Sequence, residues 1–510
     1  HRRTPPPPPA PAPPPPPPGP AAAAHPGLPR AGRPAEELLA ELRALTVADL
    51  PTRGGKTTAY IYDAGRPEVR EAAAQAYLAM LEVNGLDPTA FPSIVALERQ
   101  VIGATASRLG GDDATPGIFT SGGTESIILA VKAARDARPE VAEPEIVVPA
   151  TAHAAFHKAG RYLRVKVTVV PVDPVTFRAV PEAMAAACTA DTVLVVASAP
   201  SYAHGVVDPV GRIAADAAER GIPCHVDACV GGWLLPWLAE AGAAVPPFDL
   251  SVPGVTSLSC DLHKFGYAPK GASVVLFRDQ AMRRAAYYAC AQWPGYPVVN
   301  STVQSSKGAG PLAGAWATLQ ALGADGYREL GRAALSATRR LVAGVAGIEG
   351  LRVLGEPEAT LVAIGADPAA GAPLDLWELA DESRARGYFL QPQLSVDGLP
   401  ASLHLTLTGV SEEGVDGLLD ALRESARAVR ERGPVEAPRD ILALLEELDF
   451  DELDDATFAA LLPATGLELS GDGAARMAGV NRLLDALAPH LRNQLTTRFL
   501  SALYSPHLGG

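Results

Sequence analysis

Cysteine is scarce in this 510-residue chain: Cys188, Cys224, Cys229, Cys260 and Cys290 are the five, and no two of them form a C-x-x-C pair. A disulfide scaffold is therefore disfavoured, and a reducing compartment, the cytoplasm, is the expected location. An excess of basic charge is also missing. Lys and Arg number 43 against 57 Asp and Glu, a net charge of -14, so no nucleic-acid surface is expected. No apolar run approaches the ~18 residues that a membrane-spanning helix requires. The N-terminus lacks the apolar segment of a secretory signal. What is present is 48% hydrophobic residues in a chain long enough for two or three domains and a substantial core.

Proline is abundant but uneven. Of 48 prolines, 16 fall in residues 1–34, a tail for which only polyproline II or solvated coil is expected. Residues 35–110 read as an N-terminal helical segment. Apolar positions recur at helical spacing over Glu36 to Leu50, Arg66 to Val83 and Ser93 to Leu109, with a breaker-rich loop from Asn84 to Pro92. From 111 to 310, short β-branched runs alternate with alanine-rich helical stretches. The runs are Ile146 to Val148, Val165 to Val170, Thr192 to Ala197, Cys224 to Val226 and Ser273 to Phe277. Such alternation predicts a mostly parallel sheet covered on both faces, with ligands at the carboxyl ends of its strands. Residues 311–430, with a helix over Leu312 to Leu322 and a strand over Leu403 to Thr408, read as a smaller α/β domain. A linker over Gly433 to Pro438 leads to a helical accessory segment, 435–510, with an acidic run from Glu446 to Asp455 and apolar periodicity from Val480 to Leu503.

Two motifs fail on inspection. Gly54-Gly55-Lys56-Thr57 ends like a P-loop, but Leu50 stands where the first glycine is required. His153 and His157 have metal-ligand spacing, but Ala154 replaces the glutamate of a zinc-protease helix, so no metal is expected. Three others bear on chemistry. Thr120-Ser121-Gly122-Gly123-Thr124-Glu125-Ser126 opens an apolar helix, which leaves amides free at the positive end of the dipole: a phosphate cradle or an ordinary helix cap. Asp227 ends a predicted strand, where burial demands a cationic partner. Thirty-seven residues later Lys264 lies beside His263 and Asp261 in a loop, the setting of an imine-forming lysine. Separately, each also reads as a surface ion pair. Together they describe a pyridoxal phosphate site: a lysine for the aldehyde, an acid for the ring nitrogen and a cup for the phosphate.

Five blocks in order carry a resemblance from about Tyr60 to Thr408: TSGGTES (Thr120 to Ser126), TAHAAFHKA (Thr151 to Ala159), SAPSYAHGVVDP (Ser198 to Pro209), HVDACVGG (His225 to Gly232) and SCDLHKFGYAPKG (Ser259 to Gly271). The chain resembles pyridoxal phosphate enzymes of the group II decarboxylase superfamily, and within it sphingosine-1-phosphate lyases. That resemblance implies the aspartate-aminotransferase fold (fold type I), with a seven-stranded, mostly parallel sheet in the large domain and a smaller C-terminal α/β domain. It implies that Lys264 joins the cofactor aldehyde and Asp227 pairs with the ring nitrogen. His153 and Ala228 would flank the ring. Gly123 and Thr124, with His263, would hold the phosphate. Tyr202, and Tyr60 and Tyr62 in AYIYD, match tyrosines near the substrate, and Lys270 a lysine near the phosphate ends.

The resemblance has departures. A family loop with histidine near the substrate phosphate reads here Asn84-Gly85-Leu86-Asp87-Pro88, placing Asp87 at the substrate-binding position. Where lyases carry G-S-R-P-G, this chain has Ser305-Ser306-Lys307-Gly308-Ala309, exchanging a bidentate guanidinium for a point charge. Cys260 and Leu262 replace the usual Ala and Thr beside the lysine. Three readings stay open: an aldehyde-lyase cleaving a β-hydroxy amine, an amino-acid decarboxylase, and a non-catalytic scaffold. The substrate is a small amine or amino acid in the first two. Enzymes of this type are usually homodimers with shared sites, which implies that the Ser305 to Gly308 loop, with Ser306, reaches the partner's cofactor.

Overall fold

The computed structural model describes residues 28–371, 373–433, 435–450, 452–465 and 476–504. The first 27 residues of the proline-rich tail lie outside the described residues. The chain divides into two units: Pro51–Val435 is one, and the residues up to Leu50 together with those from Glu436 form the other.

In the first unit, seven strands form one sheet: β1 (Gly117–Thr120), β2 (Glu145–Pro149), β3 (Lys166–Val170), β4 (Thr192–Ser198), β5 (Cys224–Asp227), β6 (Val255–Cys260) and β7 (Ser273–Phe277). The order is β1-β7-β6-β5-β4-β2-β3. All run parallel except β7, which is antiparallel to both β6 and β1. The apolar runs are continuous because both faces are covered. Ile146, Val148, Leu194 and Val196 point into one apolar cluster with Ile127, Val131 and Phe156. The alternate residues Val147, Val195 and Ala197 point into another, with Ile213, Leu258 and Leu319. Each such branched side chain stabilises the sheet by about 1.5–3 kcal/mol when fully buried.

Two strands escape the sequence pattern. β1 is only four residues long, and β6 carries Ser257 and Ser259, which break its apolar run although both are buried. The serines face His225 on β5, at 2.8 Å from Nδ1 and 3.2 Å from Nε2, so a polar pair satisfied across the sheet hides a core strand. Helix boundaries also shift. The segment expected over Glu36 to Leu50 is α-helical over Ala35–Leu45 and then tightens to a 3-10 turn. The helix expected over Leu312 to Leu322 does stop there: it starts at Gly310, Gly323 at φ 58° and ψ -180° is non-helical, and a second helix continues from that kink to Val345.

At the start of β2, one strand in from the edge of the sheet, the buried Glu145 accepts hydrogen bonds from Thr189 (2.5 Å), Thr192 (2.9 Å), Thr168 (3.1 Å) and Lys166 (2.9 Å). Burial alone would raise its pKa; the four donors outweigh burial and bring it to about 2. A depressed folded-state pKa means stability that is present above the unfolded value near 4.5 and lost as pH falls toward 2. Glu145→Gln is expected to flatten that dependence by about 3 kcal/mol, read as urea midpoints across the same pH window.

A smaller lobe follows. After the hairpin β8 (Tyr288–Cys290) and β9 (Val298–Asn300), the strands β10 (Leu351–Val353), β11 (Leu361–Ala366), β12 (Gln391–Gln393) and β13 (Ser402–Thr406) form an antiparallel sheet in the order β10-β11-β13-β12. An N-terminal strap joins it. The Thr58 amide donates to the Phe389 carbonyl (3.1 Å), Phe389 donates to Lys56 (2.9 Å), and Thr406 donates to Thr58 (2.6 Å). That pairing carries Tyr60 and Tyr62 toward the large sheet.

The second unit has the helices Ala35–Leu45, Arg439–Glu447, Asp455–Thr465, Ala478–Ala486 and Pro489–Leu503. Leu445, Phe450, Phe458, Leu462, Leu483 and Leu495 are among its buried core residues. The helical periodicity from Val480 to Leu503 is carried by two helices, since Pro489 cannot continue the first and starts the second. Among the described residues, no helix is long and apolar enough to cross a membrane.

Candidate active site

Three parallel strands release their chains at the same edge of the large sheet. β1 ends in the Ser121–Gly122 turn, and the helix Gly123–Asp136 begins at once. The amides of Gly123 and Thr124 lie in its first turn, where helical geometry offers no acceptor. Gly123 has to be glycine. A Cβ there would sit 2.7 Å from Cys229 Sγ and 2.8 Å from Asp261 Oδ2, both on buried residues.

β5 delivers Asp227, which is 7% exposed. Its Oδ1 accepts from the Cys229 amide at 3.1 Å and from Ser259 Oγ at 3.4 Å. Behind Ser259 stands His225, fully buried, with its pKa lowered by burial to about 4. Burial, reinforced by Asp227 and Asp261, pushes the Cys229 thiol well up. Both neighbours of the carboxylate are therefore neutral near pH 7.

The turn after β6 carries Asp261, His263 and Lys264. Lys264 Nζ lies 3.1 Å from Asp261 Oδ2, and His263 Nε2 lies 3.7 Å from the same oxygen. His263 Nδ1 accepts from the Ala272 amide, and Cε1 lies 3.6 Å from where a Cβ on Gly122 would stand. Burial alone would lower the Lys264 pKa, yet the Asp261 charge, followed by Tyr62, Cys229 and Asp227, raises it. For Asp261 burial would raise the pKa, but Lys264 and His263 bring it down. Gly266 locks the turn, because a Cβ there would meet the Leu262 carbonyl at 2.4 Å.

The strap and the small lobe close the other side. Tyr62 is in edge contact with Phe265 at 5.1 Å and hydrogen-bonded to Thr406, and burial raises its phenol pKa. Lys270 Nζ donates to the Tyr60 carbonyl at 2.9 Å and stands 5.2 Å from the Tyr62 ring centre. Tyr202, after β4, stacks on His404 of β13 at 4.2 Å and donates to Gln391 Oε1 of β12 at 2.6 Å. Burial, then the charges of Tyr62 and Tyr60, raises its pKa, with Lys264 opposing.

Lys264, Asp227, His263, Gly123, Thr124, Ala228, Tyr202 and Lys270 thus lie at or just beyond the ends of β1, β4, β5 and β6, and Tyr60 and Tyr62 on the strap that meets them. His153 is exposed beyond the end of β2, where Nδ1 accepts the Ala155 amide at 3.2 Å. Asp87 and Ser306 are placed elsewhere in the chain. Asp87 caps its own turn, accepting from Thr89 N (2.9 Å), Thr89 Oγ1 (2.6 Å) and the Ala90 amide (3.3 Å), which lowers its pKa. It lines a cavity of about 1180 Å³ that Ser305 and Lys307 also line. Ser306 is exposed in the same loop. The sequence reading gave no task to Asp261, Glu125 or Gln391. Asp261 stands three residues before the lysine, and Glu125 sits at the third helical position after the glycine turn, spacings that a reader could have used.

The residues fit pyridoxal phosphate. The cup that glycine keeps open at Gly123 offers free amides to a phosphate, a lysine amine stands beside it, and a buried carboxylate with neutral backing can meet a protonated ring nitrogen.

Comparison with known proteins agrees. The pyridoxal-dependent decarboxylase conserved domain matches residues 73–365, and a C-terminal HTH domain of pyridoxal-dependent enzymes matches 439–502. The sphingosine-1-phosphate lyase of Dictyostelium discoideum is 37% identical over 80% of this chain and 75% of its own length. That of Oryza sativa is 34% identical over 81% and 76%. The solved sphingosine-1-phosphate lyase of Burkholderia pseudomallei superposes with a TM-score of 0.74 at 35% identity, covering 79% of this chain and 93% of that one. Lactobacillus brevis glutamate decarboxylase superposes with a TM-score of 0.70 over 80% of this chain and 96% of its own, but at 19% identity it shows the fold alone. With a fold type I sheet, an aspartate and a lysine at the ends of neighbouring strands, and these relatives, the chain belongs to the pyridoxal-dependent decarboxylase family and, within it, to the sphingosine-1-phosphate lyases.

Proposed function

We propose that this pyridoxal phosphate-dependent lyase cleaves the carbon–carbon bond of a phosphorylated long-chain β-hydroxy amine, such as sphinganine 1-phosphate, to an aldehyde and a phosphorylated amine. The observation that carries the reading is Lys264 within electrostatic reach of Asp227, Tyr62 and Tyr202 in a chain 35% identical to a solved lyase. Pyridoxal phosphate, when bound, supplies a sink for the charge left at the amine-bearing carbon. Lys264 would join its aldehyde, and Asp227 would keep a proton on the ring nitrogen. Gly123 and Thr124 would hold the phosphate with His263, and His153 and Ala228 would flank the ring. Lys264 Nζ, with Asp261 stabilising its cationic form, can hold a proton near the reacting carbon. Tyr202, held by Gln391, presents a hydroxyl for the substrate oxygen. Lys270 fixes the strap and offers positive charge to a substrate phosphate.

Asp87 and Ser306, set apart from Lys264 in a single chain, suit a homodimer in which each copy completes its partner's site. Sedimentation should give a dimer at working concentrations, and a fully active monomer would contradict it. Five unpaired cysteines support a cytoplasmic location. Incubation with sphinganine 1-phosphate and with a panel of amino acids tests the reaction. Long-chain aldehyde and phosphoethanolamine are expected, whereas carbon dioxide without aldehyde would establish the decarboxylase instead.

A further inference from the structure

Glu125 is a buried carboxylate with no part in the chemistry above, 7% exposed in the first turn of the helix Gly123–Asp136. Both its oxygens are committed. Oε2 accepts from the Ser121 amide (2.7 Å) and Ser121 Oγ (2.8 Å), within the glycine turn. Oε1 accepts from the Val303 amide (2.8 Å), 178 residues away. The loop bearing Val303 is anchored at its far end, where the Gly85 amide donates to Lys307 O (2.7 Å), the Ala309 amide to Val83 O (3.0 Å), and Lys307 pairs with Glu98 (3.5 Å). Between these anchors Val303, Gln304, Ser305 and Ser306 are exposed.

We propose that Glu125 is a positioning residue that couples the glycine turn to the 301–307 loop, so that seating a phosphate at Gly123 and Thr124 and ordering that loop are one linked equilibrium. The proposal rests on reading the turn as the cofactor's phosphate cradle. The coupling is electrostatic and geometric. An anion at the Gly123 and Thr124 amides sits near the Glu125 charge and is tolerated to the extent that donors neutralise that carboxylate. The Val303 amide is one of those donors, so detaching the loop raises the cost of the anion. In the other direction, a bound phosphate fixes the Ser121–Thr124 turn, which orients the carboxylate and holds Val303. Linkage requires the two effects to be equal in size.

Val303→Pro deletes the donor and leaves the charge, whereas Glu125→Gln deletes the charge and turns an amide group toward donors. The dissociation constant for pyridoxal phosphate, titrated on apo-protein, is expected to rise about tenfold for Val303→Pro. The same substitution in a Glu125→Gln background should change it less than twofold. Hydrogen exchange of the 301–307 peptide is expected to slow about tenfold on cofactor binding in the wild type, and not in either variant. Ser121→Ala, which spares both amide contacts, should keep the protection. If Val303→Pro loses nothing, or loses as much with Gln at 125 as with Glu, the coupling is wrong. If the wild type binds no cofactor at all, the cradle reading fails first. Val303 is 65% exposed, so its variant folds even if the buried one does not.

Discussion

Lys264→Ala is expected to end covalent retention of the cofactor and to lower the lyase rate by roughly 10⁴-fold or more, about 5 kcal/mol of transition-state stabilisation. Two roles converge on this side chain, and the structure separates them. Its amine is the proposed nucleophile, and its charge is the counter-ion of Asp261, which is 2% exposed. Alanine removes both, leaving a buried carboxylate with only His263 at 3.7 Å, an imidazole whose pKa burial lowers and which cannot replace the lysine charge. Breaking a buried pair from one side costs about 3 kcal/mol, so the variant should also unfold at lower denaturant. Lys264→Arg keeps the charge but presents a guanidinium that stays protonated and forms no imine. It should therefore recover much of the stability and none of the activity. Intact mass after borohydride reduction reads the covalent link directly. Retention of the reduced cofactor by the alanine variant would overturn the assignment.

Much of the sheet was legible because its strands are buried on both faces. Ile146 to Val148 and Thr192 to Ala197 are near-continuous apolar runs, and no amphipathic helix of that length matches them. β6 was not legible, since its buried hydroxyls are satisfied by a histidine on another strand, a fact of pairing rather than of local sequence. The stop at Gly323 was legible, since a glycine at positive φ ends the first helix; the second helix that starts at once was not, because it is held by packing of Leu330, Leu335 and Leu341.

The site divides the same way. Gly123, Asp227 and Lys264 were readable as candidates because each sits in a short block whose residue types demand a chemical reason. The supports of the site were not. Tyr202 depends on Gln391, 189 residues away, and Glu125 on Val303, and neither partner is an unusual residue in its own surroundings. Sequence blocks reveal groups that do chemistry, while the groups that aim them emerge only once the small lobe and the strap have folded against the large sheet.

Asp227→Asn is expected to leave the cofactor attached and the fold intact while lowering the rate by roughly 10³-fold, on the scale of losing a preorganised electrostatic partner. The substitution is nearly isosteric. The asparagine carbonyl can still accept from the Cys229 amide and Ser259, so the backing of the site survives. What vanishes is the formal charge. His225 cannot replace it, because burial holds its pKa at about 4 and the neutral ring, like its protonated form, carries no negative charge. The Cys229 thiol, pushed up by burial, cannot replace it either. Without a carboxylate the cofactor's ring nitrogen has nothing to keep its proton, and the charge released at the amine-bearing carbon has nowhere low in energy to go. The loss should fall on kcat with KM nearly unchanged, since the substrate contacts proposed for Tyr202 and Lys270 are untouched. Borohydride reduction of this variant should still fix the cofactor at Lys264, which distinguishes it from Lys264→Ala. An Asp227→Asn enzyme with a tenth or more of the wild-type kcat would show that the carboxylate is not the partner of the ring.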